Sequence, residues 1–232
     1  MSLVEVNHLN KIYQMGEVTI SALKDVSLDI EAGTFVSIVG PSGSGKSTIL
    51  NLVGCLDQPT SGSIKVVDQE VGKLNTRQRA GFRGQHLGFV FQNFNLIPVL
   101  SVYENVEYPL LMVQNESGPK HKERILKLLD AVGVLEQKDK LPSQISGGQM
   151  QRVAVARALI TQPKLVIADE PTANLDHDTA YKIIDLMKEM KEQFNTTFIF
   201  STHDPKIIGE AEIIYTLEDG EIKNKEDRRP ND

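Results

Sequence analysis

Apolar residues gather in three short unbroken runs: 34–39 (TFVSIV), 165–168 (LVIA) and 197–201 (TFIFS). Runs of four to six residues rich in β-branched and aromatic side chains read as strands covered on both faces, as in a parallel sheet. Each run ends in a polar stretch: GPSGSGKS (40–47), DEP (169–171) and THD (202–204). In an open parallel α/β sheet, ligands bind at the carboxyl ends of the strands. Three polar motifs at three such ends therefore predict one shared site. Residues 3–30 follow another rule. Val4, Val6 and Leu9, then Val26, Leu28 and Ile30, alternate as half-buried antiparallel strands do. A helical period appears in 122–132, with Ile125, Leu128, Leu129 and Val132 on one face. It recurs in 180–194, with Ile183, Met187, Met190 and Phe194. Between Gln92 and Leu141 there is no strong strand signal, which predicts a mainly helical insertion. The charged end NKEDRRPND (224–232) has no apolar residue and is expected to fray. No internal repeat and no linker divides the chain.

Composition narrows this only a little. At 232 residues and 40% hydrophobic, the chain can bury a full core as one large domain or two small ones. The lone Cys55 excludes an internal disulfide framework, suits a reducing compartment, and reads as a small buried apolar residue. No apolar run approaches the ~18–20 residues of a membrane span. The start, MSLVEVNHLN, lacks a basic-then-apolar signal pattern. A soluble protein is expected. A net charge of −6 argues against nucleic acid as the main partner.

The strand ends carry the chemistry. GPSGSGKS satisfies G-x-x-x-x-G-K-[ST] directly after a strand. Gly40, Gly43 and Gly45 let backbone N–H groups wrap phosphates, Lys46 places a cation on the β/γ-phosphates, and Ser47 ligates Mg²⁺. Asp169 would hold Mg²⁺ through water, and Glu170 beside it would deprotonate an attacking water. His203, at the third strand end, lies where it could contact the γ-phosphate. For Tyr13 the residues alone leave two roles open, stacking on adenine or packing in the core or surface. ISGGQ (145–149) supplies a second anion cradle, because Ser-Gly-Gly opening a helix leaves N–H groups unpaired. One ATP-sized ligand does not need both.

In chain order, Tyr13, GPSGSGKS, Gln92, ISGGQ, LVIADE (165–170), NLD (174–176) and His203 resemble the ATP-binding-cassette ATPases, the nucleotide-binding subunits of ABC transporters. The resemblance covers residues 3 to about 223, with Ile145 where the family usually has Leu, a near-isosteric exchange. It implies an α/β fold: a P-loop NTPase (RecA-like) core over 1–91 and 158–223, an antiparallel β subdomain, and an inserted α-helical subdomain over about 92–157. It implies ATP and Mg²⁺ as cofactors. ATP would be bound by Tyr13, the loop Gly40, Pro41, Ser42, Gly43, Ser44, Gly45, Lys46, Ser47 and Thr48, then Gln92 and His203. Ser146, Gly147, Gly148, Gln149 and Asp176 would also bind it. Mg²⁺ would fall to Ser47, Gln92 and Asp169, and catalysis to Glu170, His203, Gln92 and Lys46. The resemblance also resolves the two cradles. The signature caps the γ-phosphate held by a second copy of the chain, so two subunits sandwich two ATPs.

Further stretches, among them GCLDQPTSGSI and LGFVFQNFNLIPVLSVYENVEYPLLM, look like the group that powers macrolide exporters and lipoprotein-releasing complexes. That implies a separately encoded integral membrane permease as partner and a cytoplasmic location on the inner face of the membrane. An importer ATPase is the alternative. DNA-acting and ribosome-acting cassettes fit poorly: Ser47 and Ile145 lie only 98 positions apart, without heptads, and there is a single phosphate loop. A small-molecule kinase has no use for ISGGQ or NLD. Residues 93–112 hold more large apolar groups than a small insertion readily buries. Some are expected to line an exposed groove for the membrane partner; the alternative is that all pack inside.

Overall fold

A computed structural model describes residues 2–114 and 119–229. The chain opens with a long hairpin, β1 (Ser2–Met15) and β2 (Val18–Glu31). Then β3 (Phe35–Val39) runs through the glycine loop into α1 (Lys46–Val53). Next come β4 (Ser61–Val66), β5 (Gln69–Glu70), α2 (Thr76–His86) and β6 (Leu87–Phe91). The helices α3 (Val102–Pro109), α4 (Pro119–Ala131) and α5 (Gly147–Leu159) follow. The chain then continues through β7 (Leu165–Asp169), α6 (His177–Phe194), β8 (Thr197–Thr202), α7 (Pro205–Ile208), β9 (Ile213–Glu218) and β10 (Glu221–Asp227).

Two sheets result. One is antiparallel, in the order β2-β1-β4-β5; the other has the order β10-β9-β3-β8-β7-β6. Strands β3, β6, β7, β8 and β9 run parallel, and β10 closes the edge antiparallel to β9. The three predicted buried strands are thus neighbours, β3-β8-β7, and their motifs emerge side by side. Val39 pairs with Thr202 and Phe91 with Asp169, so Gly40 starts beside His203 and Gln92 beside Glu170.

Alternation along β3 shows how the layers form. Phe35 and Val39 face a core that includes Val102, Val106, Ile125, Val153 and Met187 from α3 to α6. Val36 and Ile38 face the other core, with Val4, Leu23, Ile30, Ile49 and Ile64 from the antiparallel sheet and α1. The helices after Gln92 therefore share one continuous core with the sheet. Helix α5 itself runs unbroken across position 157.

Two expectations change. The tail from 224 is ordered through Asp227: Asn224, Lys225, Glu226 and Asp227 pair with Thr216, Tyr215, Ile214 and Ile213 of β9. An edge strand is held by its backbone ladder and needs few apolar side chains. Lys225 lies 5.5 Å over the Tyr215 ring, and Arg229 is ion-paired to Asp227 and Glu31. Residues 230–232 lie outside the described residues. The stretch 93–112 also divides between the two options. Val102, Val106 and Leu110 are fully buried, and Leu96 packs against the same core. Val99 (78% exposed), Met112 (65%), Tyr108 and Leu111 face outward.

Candidate nucleotide site

The loop between β3 and α1 is shaped by glycine. Gly40 has φ +152, and a Cβ there would lie 2.0 Å from the Leu217 carbonyl oxygen. Gly45, φ +107, starts α1 in a conformation that side chains rarely adopt and offers no side-chain cap. The first-turn N–H groups of α1 consequently keep no protein partner of that kind. That is the donor set a phosphate takes at a helix start. Lys46, 7% exposed, turns its ammonium into the loop and donates to Gly40 O (2.8 Å) and Pro41 O (2.9 Å). Ser44 Oγ is buried without a hydrogen-bond partner.

This loop floors a cleft of about 550 Å³. Its walls are Ile20–Ala22 from the hairpin, Ser42, Gly43, Gly45–Thr48, Gln92, Glu170 and His203. Thus four stretches that follow strand ends, and a fifth from the hairpin, meet around one space. Asp169 stands just behind, its Oδ1 accepting from Ser201 Oγ at 2.6 Å. The same Ser201 oxygen accepts the Glu170 N–H at 2.9 Å. Glu170 sits at φ +48, a strained conformation for a non-glycine residue. Its carboxylate meets His203 Nδ1 at 2.7 Å.

Among the described residues no three His, Cys, Asp or Glu side chains form a metal cage. One carboxylate, the Ser47 hydroxyl and the Gln92 amide still suit Mg²⁺, which keeps waters and takes its remaining oxygens from phosphates. Backbone donors, a buried ammonium and this oxygen set together fit an Mg²⁺-bound triphosphate.

Tyr13 stands at the margin. Its hydroxyl donates to Asp57 Oδ2 (2.8 Å); burial and the Asp57 bond raise its pKa. Its cross-strand partner Ile20 lines the cleft.

The signature lies elsewhere. Ser146 caps α5, accepting from Gln149 N (3.3 Å) while Gln149 Oε1 accepts from Ser146 N (2.9 Å). None of Ser146, Gly147, Gly148 or Gln149 lines the cleft, and Ser146 is exposed. Asp176 is likewise away from it; its carboxylate caps α6 through Thr179 N–H and hydroxyl, and those bonds lower its pKa. Cys55 is buried, its thiol pushed up to about 11 by burial.

Sequence reasoning missed Ser201, a lone hydroxyl inside an apolar strand. It also missed Asn174, whose Nδ2 donates to Gln92 O (3.0 Å) and Asn93 Oδ1 (2.9 Å). Asn174 was visible only as the first letter of NLD.

A sequence model of the family described as ABC transporter matches residues 23–173. The chain belongs to the ABC transporter family. It is 44% identical to the lipoprotein-releasing system ATP-binding protein of Pseudoalteromonas translucida, over 97% of this chain and 96% of that one. It is also 44% identical to an uncharacterised ABC transporter ATP-binding protein of Methanocaldococcus jannaschii, covering 98% of each. The macrolide export ATP-binding/permease protein of Syntrophobacter fumaroxidans matches at 44% over 96% of this chain, which spans only 31% of that relative. Among solved structures, a dimeric post-hydrolysis ATP-binding cassette bound to ADP and Pi superposes with a TM-score of 0.90. It is 42% identical and covered over its full length by 98% of this chain. The ABC cassette is an ATPase fold, and the expected α/β core with its antiparallel sheet is what the topology has.

Proposed function

We propose that this chain is the ATP-hydrolysing subunit of a bacterial exporter of the macrolide-export or lipoprotein-release type. It works as an ATP-bridged pair on a separately encoded membrane permease. One observation carries the proposal. The cleft collects Lys46, Ser47, Gln92, Glu170 and His203, while the capped, exposed start of α5 faces away from it. Each chain thus offers one complete floor and one unmatched anion cradle, the arrangement that a two-fold sandwich satisfies. The two 44% relatives named for transport and the dimeric cassette with ADP and Pi support it.

In the mechanism, Lys46 and the loop N–H groups hold the triphosphate and stabilise charge as the γ-phosphoryl departs. Ser47, Gln92 and Asp169 would hold Mg²⁺, which would supply neutralisation of the phosphate charge. Glu170 takes the proton of the attacking water, and His203 holds the Glu170 carboxylate in place. Tyr13 stacks on the base, and Asp176 joins the partner's site at the dimer face.

Among the described residues no helix is long and apolar enough to cross a membrane. The protein acts at the cytoplasmic face of the inner membrane, reached through its permease. The outward residues Val99, Tyr108, Leu111 and Met112 form the docking side. They flank a cleft of about 380 Å³ lined by Arg83, Leu87, Phe89, Pro109, Val113 and Arg157.

The test is association. Glu170→Gln keeps the side-chain size and cannot accept the proton, so ATP with Mg²⁺ is expected to convert it to a dimer in light scattering. Wild type, which consumes the ATP, dimerises transiently. A Glu170→Gln protein that binds ATP and remains monomeric at micromolar concentration overturns the sandwich.

A further inference from the structure

Tyr13 is fastened by two residues that the sequence motifs do not include. Lys11 lies two positions before it, on the same face of β1, and is only 9% exposed. Its ammonium sits 4.6 Å from the centroid of the Tyr13 ring. The same ammonium donates to Asp57 Oδ1 (2.8 Å) and to Gln58 O (2.8 Å). Asp57 in turn accepts from the Tyr13 hydroxyl and from Gln58 N–H (2.7 Å). Burial alone would push the Asp57 carboxyl up, but the bonds from Lys11, Gln58 and Tyr13 outweigh it and hold its pKa below the usual range. The ring is therefore fixed at its edge by Asp57 and on one face by a cation.

We propose that Lys11 and Asp57 are positioning residues for nucleotide binding: they close one face of Tyr13 and present the other as a preset stacking surface for the base. This rests on Tyr13 being the base platform. A cation near a ring face attracts the π-system, and the attraction strengthens when the cation is desolvated, as at Lys11. A ring already fixed loses little freedom when a base stacks on it, and that preorganisation appears as affinity. Asp57 follows α1, the helix that the phosphate loop opens, so the same clamp stands next to the phosphate site.

The test separates base from phosphate. Lys11→Met keeps the aliphatic stem and removes the charge; Lys11→Arg restores a cation. Steady-state ATP hydrolysis gives KM and kcat, and inorganic tripolyphosphate, which has no base, gives an inhibition constant as competitor. For Lys11→Met the expected result is a KM for ATP raised about three- to tenfold, with kcat within about twofold. Its tripolyphosphate inhibition is unchanged, and Lys11→Arg recovers most of the loss. Tyr13→Ala, measured alongside, is expected to raise KM about ten- to a hundredfold, the usual worth of a base–aromatic stack. Lys11→Met weakening tripolyphosphate as much as ATP would make the clamp a structural support of the phosphate loop, and the inference fails. Lys11→Met without effect while Tyr13→Ala raises KM also overturns it, leaving the stacking role intact. Tyr13→Ala without effect removes the platform itself, and this inference with it.

Discussion

Ser201→Ala isolates how the fold holds its acids. Ser201 is fully buried in β8 and serves the last residue of β7 and the one after it at once, accepting from Glu170 N (2.9 Å) and donating to Asp169 Oδ1 (2.6 Å). A hydrogen bond to a charged group contributes about 1.5–3 kcal/mol, and a neutral one about 0.5–1.5. Asp169 is partly exposed and can recover its lost partner from water, whereas the Glu170 N–H has less room to do so. A net loss of about 2–3 kcal/mol follows, or roughly 5–10 °C in Tm for a chain of this size.

The effect on turnover has a separate origin. Glu170 is held at φ +48, and such a conformation costs about 1–3 kcal/mol that neighbours must offset. Without the Ser201 hydroxyl the backbone is free to relax and carries the carboxylate off its line to the water. Displacements near 1 Å cost up to about a hundredfold, so kcat is expected to fall about 10- to 100-fold. KM for ATP should stay within about threefold, because the hydroxyl of Ser201 bonds to Glu170 and Asp169 and not to the phosphate loop. Thermal melts and steady-state Mg²⁺-ATPase assays on the same preparation decide it. Unchanged kcat in a variant that melts several degrees lower would show that Ser201 supports the sheet and not the acid. Unchanged Tm and kcat together would refute the whole account.

The remaining expectations are shorter. Glu170→Gln should lower turnover ~10²–10⁴-fold while nucleotide affinity by equilibrium titration is retained; near-normal turnover would show that Glu170 is not the base. Gly40→Ala places a methyl 2.0 Å from the Leu217 carbonyl and should abolish nucleotide binding, or destabilise the chain enough to show in melts. Met112→Asp, 65% exposed, should leave stability and basal ATPase activity near wild type and reduce co-purification with the permease. Val106→Asp, fully buried, should fail to fold. Retained permease binding in folded Met112, Tyr108 and Val99 variants would put the docking side elsewhere.

What was legible in the sequence is what the backbone does locally. A strand followed by glycines, by a carboxylate pair or by a histidine declares its chemistry within eight residues, and β3, β7 and β8 were found that way. Strand β6 was not, because Gly88 interrupts LGFVF and neither a glycine loop nor a carboxylate pair follows it. Strand β10 was hidden for the opposite reason, since an edge strand carries charges where a buried one carries valines. The supports of the site were invisible on another ground. Ser201 lies about thirty positions from the acids it binds. Asn174 lies about eighty from Gln92, and Lys11 is 46 from Asp57. No periodicity links such pairs; only the sheet order brings them together.

The Gln92 loop shows what those long-range supports accomplish. Asn174 grips it at Gln92 O and Asn93. Arg157 grips it from the last turn of α5, donating to Phe94 O and Asn95 O, two residues at φ +58 and +50. Arg157 is partly buried and makes two hydrogen bonds here, so this contact is not a loose surface pair. Helix α5 spans 13 residues, about 20 Å at its usual rise, and its other end is the Ser146 cap of the signature. One helix thus touches the loop that reaches into this chain's cleft and carries the ISGGQ cradle at its other end. Arg157 and the loop residue Asn95 also line the 380 Å³ cleft on the outward side. Packed, hydrogen-bonded parts thus join the Gln92 loop both to the helix that starts at Ser146 and to the outward cleft.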